Sequence, residues 1–225
     1  MSFKDLKLNK PILRAVAEAG YDNQTLVQER TIPLILELKD VITSAQTGTG
    51  KTAAFALPIL QLLYDKQTTP KKGKKIRALI ISPTRELAIQ IAKNFTTYAT
   101  HTNLTSAVVY GGTSIEPQKD ILKKGIDILV ATPGRLLDLH KQDLLNLDYI
   151  EIFVLDEADL MLDMGFIDDV KKIERLCPKT KQTLLFSATM PFKVEQLAST
   201  ILKDPERIEV TPTSSAAKNV SQVLY

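Results

Sequence analysis

The sequence predicts an α/β domain with a mostly parallel central sheet and helices on both of its faces. Short runs of β-branched and aliphatic residues alternate with longer amphipathic stretches along most of the 225 residues. Strands that alternate with helices are typical of a parallel sheet covered on both sides. The strand runs are continuously apolar, as in Ile152 to Leu155, which indicates strands buried on both faces.

Seven strands and eight helices account for this alternation. The predicted strands lie at 40–45, 78–83, 105–110, 127–131, 151–156, 182–187 and 206–210. The predicted helices lie near 11–19, 25–38, 51–65, 84–99, 114–124, 133–141, 163–176 and 190–202. The Lys-, Pro- and Gly-rich stretch at 66–77 favours a solvated loop over a dedicated nucleic-acid patch, and the polar segment 211–222 favours a linker that leaves the domain.

Composition narrows the class of protein. Hydrophobic residues make up 44% of the chain and charged residues 24%, which is ordinary for a soluble globular domain. The net charge of +3 is compatible with nucleic-acid binding but does not argue for it. The single cysteine, Cys177, excludes an internal disulfide. The chain has neither a run of 18 apolar residues nor a signal peptide, so we expect a cytoplasmic protein without membrane contact.

A phosphate-binding pattern follows the first predicted strand. Its residues are Ala45, Gln46, Thr47, Gly48, Thr49, Gly50, Lys51 and Thr52, with Ala45 where the first glycine usually stands. Glycines let backbone N–H groups surround an anion, Lys51 supplies a mobile cation, and the Thr52 hydroxyl can hold Mg²⁺. The motif requires a strand before it and a helix after it, as predicted here, so we expect a nucleotide site.

Three carboxylates lie at the end of the buried strand that ends near 156. Three negative charges lie close together where water is scarce, on Asp156, Glu157 and Asp159. Because ligands collect at the carboxyl ends of parallel strands, Asp156 is expected to face the phosphate loop and hold Mg²⁺. Glu157 can then orient and deprotonate an attacking water. An acidic surface turn is the alternative, but the apolar residues on both sides disfavour it.

The segment Asp156-Glu157-Ala158-Asp159 spells DEAD, and the chain resembles the DEAD-box RNA helicases from Phe3 to about Val210, most closely the bacterial RhlE-like branch. The resemblance implies a RecA-like P-loop domain over residues 1–210. It implies that 211–225 begins a linker to a second RecA-like domain that is absent from the chain. ATP and Mg²⁺ are the implied cofactors.

The resemblance also implies a Q motif within about residues 1–29. There Gln28 would bind the adenine edge, Thr25 would contact the phosphate loop, and Tyr21 would belong to the nucleotide site. Phe3 resembles the upstream aromatic residue that stacks on the base. The implied coupling segment is Ser187, Ala188 and Thr189, whose hydroxyls would bond to Asp159 and couple the ATP state to RNA.

Three further segments follow strands and carry groups that suit phosphate. They are Pro83-Thr84-Arg85, Gly111-Gly112 and Thr132-Pro133-Gly134-Arg135. Hydroxyls, arginines, glycine N–H groups and helix N-termini bind phosphates without regard to sequence. Each segment alone is an ordinary turn or helix start; together, the resemblance implies that they line an RNA backbone.

The sequence departs from the family pattern at a few positions. Gln24 and Leu26 replace two prolines of the Q motif, and Leu160 stands where arginine is common. These departures put in doubt the stiffness of the helix entry and one polar contact, not the chemistry.

The function expected from these residues is that of the ATP-binding half of an ATP-dependent RNA helicase. An ATP-gated RNA clamp without processive unwinding is the alternative, and a DNA helicase or a small-molecule kinase is disfavoured. Arg85 and Arg135 are assigned to RNA, and no other arginine follows a predicted strand at the ATP end to complete the transition state. We therefore expect the isolated chain to bind nucleotide and hardly hydrolyse it.

Overall fold

A seven-stranded sheet forms the centre of the molecule. The structure is a computed structural model that describes residues 2–66 and 75–210. The strands are β1 (Val41–Ala45), β2 (Ala78–Ile81), β3 (Ser106–Val109), β4 (Ile128–Ala131), β5 (Ile152–Leu155), β6 (Gln182–Ser187) and β7 (Glu206–Val210). Every neighbouring pair is parallel, in the order β3-β4-β2-β5-β6-β1-β7. The predicted fold class and all seven strands are confirmed; the linker 211–225 and most of the lysine-rich loop lie outside the described residues.

Helices connect the strands and cover both faces. In the described residues they are α1 (Lys10–Glu18), α2 (Leu26–Leu36), α3 (Lys51–Asp65), α4 (Arg85–Tyr98), α5 (Glu116–Lys123), α6 (Pro133–Lys141), α7 (Ala158–Asp163), α8 (Ile167–Leu176) and α9 (Phe192–Ile201). The sequence analysis missed α7 and a 3₁₀ helix at Phe3–Leu6. The short α7 ends before Gly165, whose φ of +79° separates it from α8.

Two hydrophobic cores lie on opposite faces of the sheet. Alternate strand residues divide between them: Ile80 belongs to the core under α1–α4, while Leu79 and Ile81 belong to the core under α6–α9. Both sets of side chains are fully buried, which explains why the strand sequences show continuous apolar runs instead of alternation. No helix in the described ranges is both long and apolar enough to cross a bilayer.

The strand order places the candidate residues in two groups along one edge. Strand β6 lies between β5 and β1. The loop after β1, the carboxylates after β5 and the segment after β6 therefore lie together at one half of the sheet. The segments after β2, β4 and β3 follow the adjoining half. Sheets of this class bind ligands at the carboxyl ends of their strands, where both groups lie.

Candidate nucleotide and phosphate-contact sites

The phosphate loop lies between β1 and α3. Gly48 and Gly50 both have positive φ angles, +80° and +91°, and α3 begins directly at Lys51. The Thr49 hydroxyl donates to the Gln46 carbonyl at 2.7 Å and closes the turn. The loop therefore presents the N-terminal end of a 15-residue helix to whatever binds above it.

Gly50 packs directly against the Q-motif helix. Gln28 is buried and donates from Nε2 to the Gly50 carbonyl at 3.2 Å, while its Oε1 accepts from the Thr25 backbone N–H at 3.0 Å. A Cβ on residue 50 would collide with Gln28 Nε2 and lie 3.2 Å from Thr25 Oγ1. Only glycine fits this contact, so the Q-motif residues and the phosphate loop hold each other in place.

Side-chain hydrogen bonds hold this helix start, where Gln24 and Leu26 stand in place of two prolines. Thr25 and Gln28 form a reciprocal capping box at the beginning of α2, which ties down backbone N–H groups of the first turn. Gln24 donates from its side chain to the Ser2 carbonyl, and Ser2 pairs with Asn23 in an isolated bridge. Side-chain hydrogen bonds here fix the chain path that prolines would otherwise stiffen.

A compact charge cluster lies at the bottom of the cleft. Lys51 Nζ lies 3.0 Å from Glu157 Oε1, and Lys51, Asp156 and Glu157 are only 5%, 4% and 9% exposed. Burial raises the pKa of Asp156 to about 7, with the charge of Glu157 acting in the same direction and that of Lys51 opposing it. The charge of one buried cation, Lys51, thus acts on two buried carboxylates, Asp156 and Glu157.

Glu157 adopts an unusual backbone conformation for its residue type. Its φ and ψ angles are 53° and 56°, in the left-handed region, at the residue that precedes α7. Such a conformation costs of order 1 kcal/mol for a residue with a side chain and persists where the surrounding structure enforces it. Here it turns the chain sharply after β5 and directs the carboxylate toward Lys51.

The residues present fit a magnesium ion. Asp156 Oδ1 is buried and has no hydrogen-bond partner among the described residues. Thr52 follows Lys51 in the chain and lines the same cleft as Asp156. A hard cation with oxygen ligands, held by one carboxylate, one hydroxyl and phosphate oxygens, satisfies such an unpaired oxygen.

Asp159 joins the end of β6 to α7. Its Oδ2 accepts from both the backbone N–H and the hydroxyl of Thr189, at 2.8 and 2.9 Å, and its own N–H donates to Ser187 Oγ at 3.1 Å. Partial burial acts to raise the pKa of Asp159, but the Thr189 hydrogen bonds outweigh it and hold that pKa below its ordinary value. The geometry agrees with the pairing expected for Asp159; Ala188 only spaces its two partners.

A cleft of about 380 Å³ collects most of the predicted nucleotide contacts. Its predicted members are Tyr21, Thr25, Gln28, Thr47, Gly48, Gly50, Lys51, Thr52, Asp156 and Glu157. Ala45, Gln46 and Thr49 belong to the loop but do not line the cleft; Ala45 is buried at the end of β1, Gln46 is exposed and Thr49 is half-buried.

The role expected for Phe3 stays a prediction. Phe3 is 4% exposed, belongs to the same core cluster as Leu6 and Leu8, and does not line the cleft. An apolar ring on a 3₁₀ helix gains more from this burial than from solvent exposure at a cleft. Tyr21, 44% exposed and lining the cleft, is the aromatic side chain in position to meet a base.

Sequence reasoning missed one whole wall of this cleft. The inner face of α4 contributes Leu87, Gln90, Ile91, Asn94 and Tyr98, and Asn23 and Ala53 complete the lining. The Tyr98 ring meets Tyr21 edge to face, with centroids 6.1 Å apart. The sequence signal for this wall was a pair of amides, Gln90 and Asn94, at helical spacing. They share one face of the helix with Leu87 and Ile91.

A second concavity, of about 530 Å³, contains most of the predicted RNA contacts. Its members from the prediction are Pro83, Thr84, Arg85, Gly111, Thr132, Gly134 and Arg135. Gly112 and Pro133 do not line it; Pro133 is buried at the first position of α6. Glu86, Asp138, Met164 and Phe166 line it and were not predicted. We call this concavity the phosphate-contact groove.

The two arginines of the groove are held differently. Arg85 lies over the Tyr110 ring, 4.9 Å from its centroid, on an exposed helix start. Arg135 donates from Nη2 to the Thr113 carbonyl at 2.8 Å, and its buried Nη1 has no hydrogen-bond partner among the described residues. Arg85 thus makes an exposed ring contact, whereas Arg135 is held by a hydrogen bond, lies 4.0 Å from Asp138 Oδ2 and keeps an unused donor.

Comparisons with known proteins agree with this arrangement. The DEAD/DEAH box helicase family model matches residues 25–197. The chain is 44% identical over its full length to the DEAD-box ATP-dependent RNA helicase RhpA of Helicobacter pylori strain B128, covering 44% of that protein. It is 42% identical to the ATP-dependent RNA helicase RhlB of Shewanella woodyi, with 99% of this chain and 51% of the relative covered. The chain thus spans about half the length of these relatives.

Solved structures show the same fold. A crystal structure of a DEAD box protein from Methanococcus jannaschii superposes with a TM-score of 0.87 at 42% identity, covering 94% of this chain and 56% of that one. A hypothetical ATP-dependent RNA helicase from Sulfolobus tokodaii gives 0.81 at 40% identity, with 90% and 57% covered. The RecA-like fold expected from the resemblance is confirmed, while the assignment to an RhlE-like branch stays a prediction. The chain belongs to the DEAD/DEAH box helicase family.

Proposed function

We propose that this chain is the ATP-binding part of an ATP-dependent RNA helicase, which binds RNA backbone and couples ATP hydrolysis to unwinding or remodelling. The convergence of Lys51, Asp156 and Glu157 on one phosphate loop carries the proposal. The named relatives, which are ATP-dependent RNA helicases, support it.

Nucleotide binding would rearrange the charge cluster. Lys51 is paired with Glu157, and incoming phosphates compete for the ammonium group. When Lys51 turns to the phosphates, the Glu157 carboxylate is released to orient a water molecule and accept its proton at an Oε atom. Thr52 and Asp156 would hold Mg²⁺, which neutralises charge on the phosphate oxygens when bound.

Adenine is the base that the site suits. Gln28 already uses one amide hydrogen and one lone pair within the protein, and it keeps one of each for a base edge. Adenine presents a donor beside an acceptor, a pattern that one amide can match and that guanine reverses. Tyr21 supplies an aromatic surface for stacking.

RNA binding is assigned to the phosphate-contact groove. Arg85, Arg135, Thr84 and the N–H groups of Gly111 and Gly134 are phosphate and sugar ligands without base preference. The Asp159–Thr189 pair joins the segment after β5 to the segment after β6, next to the nucleotide, and would couple the two ligands.

The second RecA-like domain of a full-length protein would complete the site. Within the described residues, no arginine lines the nucleotide cleft. An arginine that stabilises the transition state of phosphoryl transfer contributes about 10³–10⁵ in rate. The isolated chain should therefore bind Mg²⁺-ATP but release phosphate very slowly, with or without RNA.

The test compares the 225-residue chain with the full-length protein. Titration with ATP and GTP should show a preference for ATP, and phosphate release by the chain should be about 10³-fold or more below the RNA-stimulated full-length rate. Equal affinity for GTP, or full RNA-stimulated turnover by the chain alone, would refute the proposal. A duplex-unwinding assay beside RNA binding with a non-hydrolysable ATP analogue separates strand separation from an ATP-gated clamp.

A further inference from the structure

We propose that the inner face of α4 is a nucleoside-binding wall, in which Gln90 and Asn94 hydrogen-bond the base or ribose of the nucleotide. This inference rests on the proposed function, because it assigns residues to the same cleft. No motif in the sequence analysis points to these two amides.

The first observation is the position of the two side chains. Gln90 and Asn94 are four residues apart on α4, so they lie on one face about 6 Å apart along the helix axis. Both line the cleft that contains Tyr21, Gln28 and Lys51. They stand between Leu87 near the start of the helix and Tyr98 at its end.

The second observation is that neither amide is in use. Gln90 is exposed and Asn94 half-buried, and neither side chain has a hydrogen-bond partner among the described residues. Elsewhere in the cleft the amide of Gln28 is held at both of its ends. Gln90 and Asn94 therefore have their full sets of donors and acceptors available to a ligand.

The third observation is the division of the cleft by charge. The end at the phosphate loop carries Lys51, Asp156 and Glu157, whereas the α4 wall consists of apolar residues, two amides and a tyrosine. A neutral wall with a few polar groups suits a nucleoside, not a phosphate. Tyr98 ends this wall against Tyr21, so a base stacked on Tyr21 would lie beside it.

The common alternative is that these amides are solvated residues at a cleft rim. Two probes separate the cases. Mg²⁺-ATP needs both ends of the cleft, while inorganic triphosphate with Mg²⁺ needs only the phosphate end. A contact to the nucleoside weakens the first ligand and leaves the second unchanged.

The experiment measures the dissociation constants of both probes for the 225-residue chain and the variant Gln90→Ala/Asn94→Ala. Alanine is the best helix former, so the variant does not weaken α4 itself. The matched control is Thr96→Ala, which removes an exposed polar side chain from another face of the same helix, outside the cleft. Two lost neutral hydrogen bonds should weaken ATP binding about fivefold to a hundredfold. Triphosphate binding should stay within twofold, and the control should match wild type for both probes.

Each other outcome overturns the inference. ATP affinity unchanged in the variant shows that the amides make no contact. A parallel loss of ATP and triphosphate affinity shows that they support the shape of the cleft. A wild-type chain that binds neither probe overturns the proposed function as well, so the wild-type titration separates the two failures.

Discussion

The nucleotide cleft and the phosphate-contact groove lie along the same edge of one sheet, yet they hold their charges in opposite ways. In the cleft, Lys51, Asp156 and Glu157 are buried together, and Lys51 is paired with Glu157. In the groove, Arg85 is exposed, and Arg135 donates to the Thr113 carbonyl and lies 4.0 Å from the exposed carboxylate of Asp138. Buried charges respond strongly to the loss of one partner, whereas exposed charges act additively and are screened by salt. The cleft should therefore show large, specific effects and the groove small, uniform ones.

The largest expected effect concerns Glu157 as the base. In the full-length protein, Glu157→Gln should lower ATP turnover by about 10²–10⁴-fold, because the amide cannot accept the proton of the attacking water. ATP affinity of the 225-residue chain should be retained, since the variant releases Lys51 from its ion pair. Steady-state phosphate release and ATP titration measure the two quantities. Undiminished turnover would remove Glu157 from the reaction.

The charge cluster can also be tested through stability. Lys51→Met keeps the length of the side chain but leaves two buried carboxylates without their cation. Its free energy of unfolding should fall by about 3 kcal/mol, measured by urea denaturation. Lys172 forms an exposed pair with Asp169, so Lys172→Met should change stability by less than about 1 kcal/mol. If both variants lose equally little, the cleft is not electrostatically distinct from the surface.

The raised pKa of Asp156 predicts a pH-dependent stability in metal-free buffer. Its pKa rises from 3.8 to about 7 on folding, so between these pH values the folded chain holds a proton that the unfolded chain releases. Stability contributed by this group therefore falls as pH increases through that window and levels off above it.

The variant Asp156→Asn removes this dependence. It should be more stable than wild type at pH 8, with the difference shrinking towards pH 4. Thermal or urea unfolding across this range, with chelator present, measures the difference. Asp148→Asn, at an exposed position, should show no such trend. A constant difference at all pH values would contradict the shift.

The smallest expected effect lies in the groove. Arg85→Ala should weaken RNA binding severalfold and reduce the slope of log affinity against log salt by about one, because one phosphate contact is lost. The loss should be the same for RNAs of different sequence. Arg175→Ala removes an exposed arginine of α8 outside the groove and serves as the control. A loss that depends on RNA sequence would indicate base contacts.

The sequence predicted more of the phosphate end of the cleft than of the nucleoside end, for a physical reason. Residues such as Lys51 and Asp156 are positioned by local geometry: a strand end, a turn and a helix start. The burial of Phe3 depends instead on a core that it shares with residues distant in the chain, such as Ile32 and Ile35 of α2, which no local pattern encodes. The strands were predictable because burial on both faces leaves a continuous apolar run.

The backbone conformation of Glu157 and the position of α4 in the cleft could not be predicted from the sequence for the same reason. The left-handed conformation of Glu157 follows from how β5, α7 and Lys51 meet, and nothing in the residue type suggests it. The role of α4 as a cleft wall depends on where the helix packs after the chain has folded. Its two amides resembled ordinary surface residues until their neighbours were known.

Helix α4 has a thermodynamic consequence for the two ligands. Its start, at Thr84 and Arg85, lies in the groove, and its last residue, Tyr98, lies in the cleft; the 14 residues of the helix span about 21 Å. A packed helix moves largely as one body, so a displacement favoured at one end is felt at the other. If ATP raises RNA affinity by some factor through α4, RNA must raise ATP affinity by the same factor. The helix would then couple the two sites, and the coupling free energy would be the same in both directions.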